Sequence, residues 1–228
     1  STGFDYSRTK SPTRSVLETA FAELESGDAA YACGSGMSAL QTVFMLFSSG
    51  DHLLVSLDLY GGTYRLIEQV LSRFGLSASY VDTNDIDALG AHYRPGSTKA
   101  VLIESPTNPL MMITDIARTA EWAKARNLLT IVDNTLLTPY FQRPIELGAD
   151  IVVHSATKYL AGHNDVLAGM IVTKGAELSQ RVAFLHNSVG AALAPQESWL
   201  LMRGLKTLAL RMERHQSNAL KLTEWLSR

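Results

Sequence analysis

What most constrains this chain is the regular exchange of short apolar runs, many of them β-branched, with longer stretches of helical periodicity. AAYAC (29–33), HLLVSL (52–57), SASYVD (77–82), KAVLIES (99–105), LLTIVDN (128–134), ADIVVHS (149–155) and AGMIVT (168–173) read as strands. Most are continuously apolar rather than alternating, the pattern of strands covered on both faces. Helical patterns lie between them over Thr13–Ser26, Gly36–Phe47, Thr63–Phe74, Ile113–Arg126 and Ala176–Phe184, with a short turn of helix over Pro144–Gly148. Strands and helices in alternation make βαβ units, so the predicted fold is α/β, a three-layer sandwich around a mostly parallel sheet. After Ala194-Pro195 the pattern changes to one long amphipathic stretch interrupted only at Gly204. Its basic residues are diluted by Glu197, Glu213 and Glu224, which fits a bridging helix better than a charged docking helix. The expected organisation is therefore a polar, irregular segment over residues 1–12, a large domain over 13–195, and a bridging helix over 196–228 that leads into a second domain.

Composition narrows the function classes. Of 228 residues, 46% are hydrophobic, enough for a sizeable core. A formal net charge of -2 gives no electrostatic reason to expect nucleic acid or an anionic membrane as partner. The single cysteine, Cys33, precludes an internal disulfide and fits a reducing compartment. No apolar run reaches the roughly 18 residues a membrane span requires, and STGFDYSRTK has no signal-peptide core. A soluble, cytoplasmic protein is expected. The start without methionine and the stop at TEWLSR, inside a helical pattern, point to a piece of a longer chain or a processed one.

In an open α/β sheet, ligands collect where strand carboxyl ends meet the following loops. AAYAC runs into GSGMSAL, whose glycines and serines open a helix with free N–H groups suited to a phosphate. The third glycine of a dinucleotide motif is absent, and so is a Walker-type GxxxxGK[ST]. SLDLYGGTYR places Tyr60 before paired glycines, and SPTNPL fixes Asn108 between prolines. Asp133 ends an apolar strand, where a carboxylate needs a cation or several donors. Lys158 lies in SATKYLAGHND directly after Ser155 and Thr157, whose hydroxyls can add donors beside its amine. Taken one at a time these are an ordinary turn tyrosine, a capped helix and a solvated lysine. Together they supply an anion nest, an aromatic face, a carboxylate, an amide and an amine, the set that pyridoxal 5′-phosphate (PLP) asks of a protein. His154, His163 and Asp165 lack HxxH or HxxxH spacing and read as polar loop residues rather than metal ligands.

The segments YSRTKSPTR, GSGMSAL, LYGGTY, ESPTNPL, VDNT and SATKYLAGHNDVLAG resemble those of the Cys/Met-metabolism (transsulfuration) family of PLP enzymes, over essentially the whole chain. The stretch FLHNSVGAALAPQESWLLMRGLKTLALRMERHQSNA looks most similar to the cystathionine β-lyase branch. The resemblance implies a fold-type I, aspartate-aminotransferase-like large domain. It implies that Lys158 forms the Schiff base and moves the α-proton, while Asp133 pairs with the pyridinium nitrogen. Tyr60 would stack on the ring and assist proton transfer. Gly36 and Met37 would give backbone donors to the phosphate, with hydroxyls from Ser155 and Thr157, and Asn108 would lie near the 3-hydroxyl. Tyr6 and Arg8 would reach the phosphate of a neighbouring subunit, in a dimer of dimers. The departures are Ser11-Pro12-Thr13 in place of Asn-Pro-Thr, Gly62 where methionine γ-lyases carry cysteine, and, most serious, the largely missing C-terminal domain, in which the resemblance implies an arginine that grips the substrate carboxylate.

The implied chemistry is carbon–sulfur bond cleavage in a sulfur amino acid. Lys158, its pKa depressed in a desolvated site, acts as base. Cystathionine would yield homocysteine, pyruvate and ammonia. The same residues would serve a γ-synthase, an O-acyl-homoserine sulfhydrylase or a γ-lyase. A truncated, non-catalytic PLP-binding paralogue is the reading from another class.

Overall fold

The computed structural model describes residues 3–228. In chain order the elements are α1 (Pro12–Leu24), β1 (Ala29–Cys33), α2 (Gly36–Phe44), β2 (His52–Ser56), α3 (Gly61–Arg65), β3 (Ser77–Val81), α4 (Ile86–His92), β4 (Thr98–Glu104), α5 (Ile116–Lys124), β5 (Leu129–Asp133), α6 (Thr138–Phe141), β6 (Ile151–His154), β7 (Gly169–Thr173), α7 (Ala176–Val189), α8 (Pro195–Leu205) and α9 (Leu208–Leu226). The strands form one seven-stranded sheet in the order β1-β7-β6-β5-β4-β2-β3. Every pairing is parallel except the two made by β7, which runs against both β1 and β6.

Two apolar layers explain the continuous runs. Leu54, Val101, Val132, Val152 and Val172 pack with Leu17 and Phe21 of α1, Trp122 of α5 and Leu201 of α8. Their immediate neighbours Leu53, Val55, Leu102, Ile131, Ile151 and Ile171 pack on the other face with Val43 and Phe44 of α2 and Val182 of α7. Successive strand side chains point to opposite faces, so a strand buried twice must be apolar at every position. Fully burying a leucine or isoleucine such as Leu53 or Ile151 contributes about 1.5–3 kcal/mol. The three-layer α/β fold expected from the pattern is the fold observed.

Some boundaries differ. The helix expected over 63–74 begins at Gly61 and passes through a wide turn over Leu66–Val70 and a tight one over Leu71–Phe74. Pro144–Gly148 is a hydrogen-bonded turn rather than helix. α7 continues past Phe184 to Val189, where Gly190 at φ 76° ends it in the left-handed conformation that glycine tolerates. α4 and α6 lie in segments without a clear apolar period. The long C-terminal stretch is two helices, with the break after Gly204 at Lys206–Thr207. Among the described residues, no helix is long and apolar enough to cross a membrane.

Candidate active site

The carboxyl ends of the parallel strands converge on one edge of the sheet. Cys33 of β1 and His154 of β6 flank the start of β7, opposite Gly169 and Met170. A Cβ on Gly169 would lie 2.1 Å from the Ser35 carbonyl oxygen, so glycine here lets the loop before α2 fold across the strand. Ser35 and Ser38 cap α2 reciprocally: the Ser35 hydroxyl accepts from the Ser38 N–H at 3.0 Å and the Ser38 hydroxyl from the Ser35 N–H at 3.1 Å. The N–H groups of Gly36 and Met37, in the first turn, have no intrahelical acceptor. Gly36 meets the Lys158 loop so closely that a Cβ would be 2.8 Å from the Ser155 Cβ.

Asp133 ends β5 between Glu104 of β4 and Val153 of β6. Its Oδ1 accepts from the Thr135 hydroxyl at 2.6 Å and the Thr135 N–H at 3.0 Å. The same hydroxyl oxygen accepts the Ser155 N–H at 2.8 Å, tying Asp133 to the turn that carries Lys158. Burial raises the Asp133 pKa, opposed by the two Thr135 bonds and the attraction of His154. The cation expected beside Asp133 is thus no direct partner among the described residues. Beneath it, His154 and Glu25 form a buried pair at 2.6 Å, with Asn134 donating to the same Glu25 oxygen at 3.1 Å.

Lys158 is exposed, and its Nζ makes no hydrogen bond or ion pair among the described residues; the desolvated amine expected from the sequence is not what this chain presents. Its backbone is firmly held. The Lys158 N–H donates to Ser155 O at 3.1 Å, and Lys158 O accepts from Gly162 N–H at 2.9 Å. Arg211 of α9 donates to Tyr159 O at 2.6 Å and to Gly204 O at 2.9 Å, joining this turn to the α8–α9 corner. Gly204 lies against the turn, where a Cβ would be 2.2 Å from Ala161 O.

Tyr60 stands at the N-cap of α3, half exposed, with its ring over Gly62. A Cβ on Gly62 would meet the ring at 2.3 Å and the Met37 Sδ at 3.0 Å, so ring, glycine and α2 start form one wall. Asn108 is exposed on the loop after β4. Ser155 is partly buried, and its Oγ would lie 3.2 Å from a Cβ on Gly36. The Thr157 hydroxyl is engaged with Ala168, donating to its carbonyl and accepting from its N–H, both at 3.1 Å. Tyr6 and Arg8 lie apart from this wall. Arg8 donates to Asn187 O at 2.6 Å and sits 5.1 Å over the Tyr6 ring, while Arg14 holds the arm through the carbonyls of Ser7, Arg8 and Thr9.

Two residues were missed from sequence. Glu104 closes β4 and accepts from the Tyr60 N–H at 2.9 Å and the Asn108 N–H at 2.8 Å. Thr135 orders Asp133. A polar residue at the end of an apolar run was the visible signal for Glu104; nothing local marks Thr135. His163 and Asp165 prove to be loop structure: His163 bonds to Ala161 O at 2.7 Å and Asp165 pairs with Arg203 at 2.5 Å.

The assembled edge fits PLP. Asp133 Oδ2 accepts no hydrogen bond among the described residues and would suit a protonated ring nitrogen; the α2 start suits an anion; and Lys158 Nζ is unpaired.

Comparison with known proteins places this architecture. The family described as Cys/Met metabolism PLP-dependent enzyme matches residues 1–228. The chain is 54% identical over 225 residues to a cystathionine γ-lyase of Bacillus subtilis, covering 99% of the chain and 59% of that protein. It is 52% identical to a cystathionine γ-synthase of Haemophilus influenzae, covering 99% and 61%. It is 50% identical to a cystathionine β-lyase of Lactococcus lactis, covering 98% and 58%. A crystal structure of cystathionine γ-lyase from Lactobacillus plantarum, complexed with L-serine, superposes with a TM-score of 0.96 at 53% identity, covering 97% of this chain and 58% of that one. The chain thus spans about three fifths of the length of these relatives.

Proposed function

Because the chain belongs to the Cys/Met-metabolism family of PLP-dependent enzymes, we propose that the full-length protein is a carbon–sulfur lyase acting on cystathionine, with Lys158, Asp133 and Tyr60 at its centre. The observation that carries this reading is the convergence of an unpaired lysine, a desolvated carboxylate and a tyrosine wall at one sheet edge. PLP, when bound, supplies an electron sink that acidifies the substrate Cα–H. The Gly36 and Met37 N–H groups and the Ser155 hydroxyl hold its phosphate. Thr157 serves that phosphate only by exchanging its bond to Ala168, so its main work is to fix the start of β7. Asp133 Oδ2 would hold the proton on the ring nitrogen, Tyr60 would cover one ring face, and the Asn108 amide would serve the 3-hydroxyl. Lys158 Nζ would anchor the group, take the proton from Cα and return one to the departing sulfur.

The arm residues Tyr6 and Arg8 serve the site of a second copy in this reading, within a homotetramer. The large domain spans 13–195, and residues 196–228 lead into a further domain. β-Elimination from cystathionine gives homocysteine, pyruvate and ammonia. The second reading is chemistry at Cγ, either a γ-lyase giving cysteine, 2-oxobutyrate and ammonia or a γ-synthase or O-acyl-homoserine sulfhydrylase; it is favoured by identities of 54% to a γ-lyase and 56% to a γ-synthase/O-acetylhomoserine (thiol)-lyase, against 50% to the β-lyase. Purified full-length protein given cystathionine decides between them: pyruvate supports β-elimination, and 2-oxobutyrate in its place removes it. If neither product is released with PLP bound, an O-acyl-homoserine given with cysteine or sulfide decides the rest: formation of cystathionine or homocysteine supports the γ-synthase or sulfhydrylase reading, and no product leaves a non-catalytic PLP-binding protein.

A further inference from the structure

Glu104 is buried, belongs to none of the roles above, and touches two of the elements that carry them. One carboxylate oxygen takes the backbone N–H of Tyr60 and the other that of Asn108, at 2.9 and 2.8 Å. These N–H groups come from different loops, one after β2 and one after β4. A bidentate acceptor between them fixes the spacing of the loops in a way that one-sided bonds cannot. We propose that Glu104 is a positioning residue, a clamp that holds the backbones of Tyr60 and Asn108 at a fixed separation beside Asp133 and so sets where their side chains start. The clamp rests on the reading of Tyr60 and Asn108 as cofactor-facing groups.

The clamp depends on ionisation. A carboxylate offers two good acceptor oxygens, whereas a carboxylic acid has one good acceptor and a hydroxyl that accepts poorly. The groups facing Glu104 are Asp133 on β5 and Asp58 on the loop after β2; Asp58 itself accepts from the Thr107 hydroxyl and the Leu110 N–H. His154 on β6 acts on Asp133 from below. No lysine or arginine ion-pairs with Glu104 among the described residues. Burial, followed by repulsion from Asp133, pushes the Glu104 pKa up to about 7 against the two backbone bonds, with Asp58 adding to the rise. The clamp is therefore fully formed above neutrality and half-released below it.

Two variants of the full-length protein test this. Glu104→Gln keeps the shape but only one acceptor; Glu104→Asp keeps the charge but withdraws it by one methylene. Amide hydrogen exchange of the ligand-free protein is read as protection factors at Tyr60 and Asn108, with the β5 amides as internal control. Glu104→Gln is expected to lower protection about tenfold at pH 8.5 at the amide that its NH2 group faces, leaving the other nearly unchanged, and to have hardly any effect at pH 5.5, where the native carboxyl is also neutral. Glu104→Asp is expected to lower protection at both amides at pH 8.5. The PLP dissociation constant, followed by absorbance, should show the same pattern: a Glu104→Gln to wild-type ratio near one at pH 5.5, rising to about ten at pH 8.5. A ratio or a protection loss independent of pH would reduce Glu104 to ordinary core structure and overturn the proposal. Full protection in Glu104→Asp would overturn it too, because charge alone would then suffice. If the wild-type protein bound no PLP, the cofactor reading would fail, and the exchange measurement would still decide the clamp.

Discussion

Replacing Gly204 by alanine sets two effects of opposite sign against each other. Alanine is the better helix former, worth up to about 1 kcal/mol in a helix interior. Near the end of α8 that gain is smaller. Against it, the new Cβ would sit 2.2 Å from the Ala161 carbonyl oxygen and 2.9 Å from its carbon. An ordinary separation of roughly 3.5 Å requires α8 and the Lys158 turn to part by more than about 1 Å. Both obstructing atoms are backbone, so no rotamer change relieves them, and overpacking of this kind costs about 3 kcal/mol, the upper end of its usual range. The steric term wins, leaving a net loss of about 2 kcal/mol. With an m-value of about 2 kcal/mol/M in urea, the unfolding midpoint falls by roughly 1 M at unchanged slope. The displaced atoms belong to the turn that carries Lys158, and a 1 Å misplacement of a catalytic group costs about 100-fold in turnover. Urea unfolding and steady-state kinetics on the same protein check both numbers. An unchanged or raised midpoint would show that propensity dominates and the packing argument is wrong. A lowered midpoint with native turnover would show that the α8–α9 corner does not govern Lys158.

Lys158→Ala should lose at least about 10²–10⁴-fold in turnover yet change stability by less than about 0.5 kcal/mol, because the amine is exposed and unpaired; activity assays and urea unfolding read the two effects separately. Thr135→Val strands the Ser155 N–H and removes a donor from Asp133, which should cost about 1–3 kcal/mol and raise the Asp133 pKa further, visible as PLP binding that, as pH falls, weakens at a higher pH than in wild type. In the ligand-free protein, Glu104 ionises near pH 4.5 when unfolded but at about 7 when folded. The folded state therefore holds the extra proton between those values, and stability falls as pH rises through that window, by about 3 kcal/mol from this group. Glu104→Gln should flatten that slope by a similar amount in urea titrations at stepped pH, and an unaltered slope would refute the assignment.

The strands were legible because double burial leaves no room for polar residues: β1 and the central parts of β2 and β4 stand where their apolar runs place them. α4 was not, because IDALGAH is short and holds Gly90; its marker was Asp85, whose carboxylate caps the Asp87 and Ala88 N–H groups. The direction of β7 could not be read at all. GMIVT carries the same apolar signal whichever way it runs, and only its neighbours decide. The site divides in the same way. Lys158, Asp133, Tyr60 and Gly36 are side chains or glycines whose type announces a task at a strand end. Thr135 and Glu104 act through hydrogen bonds to residues 20 and 44 positions away in sequence, a relation that exists only once the strands are in register.

The reversed strand β7 has a consequence for how the protein is made. β1 is an edge strand whose one neighbour is β7, and Ala29 waits for Thr173, roughly 140 residues later. At synthesis rates of about 5–20 residues per second, that wait is roughly 7–30 s. During it, Leu17, Phe21, Val43 and Phe44 of the emerging chain have no completed sheet to cover them. The parallel strands β2 to β6 can pair among themselves as they appear, but the contact between Gly36 and Ser155 cannot form until this last closure approaches. The anion nest and the lysine turn are therefore brought together late, after most of the strands have been made.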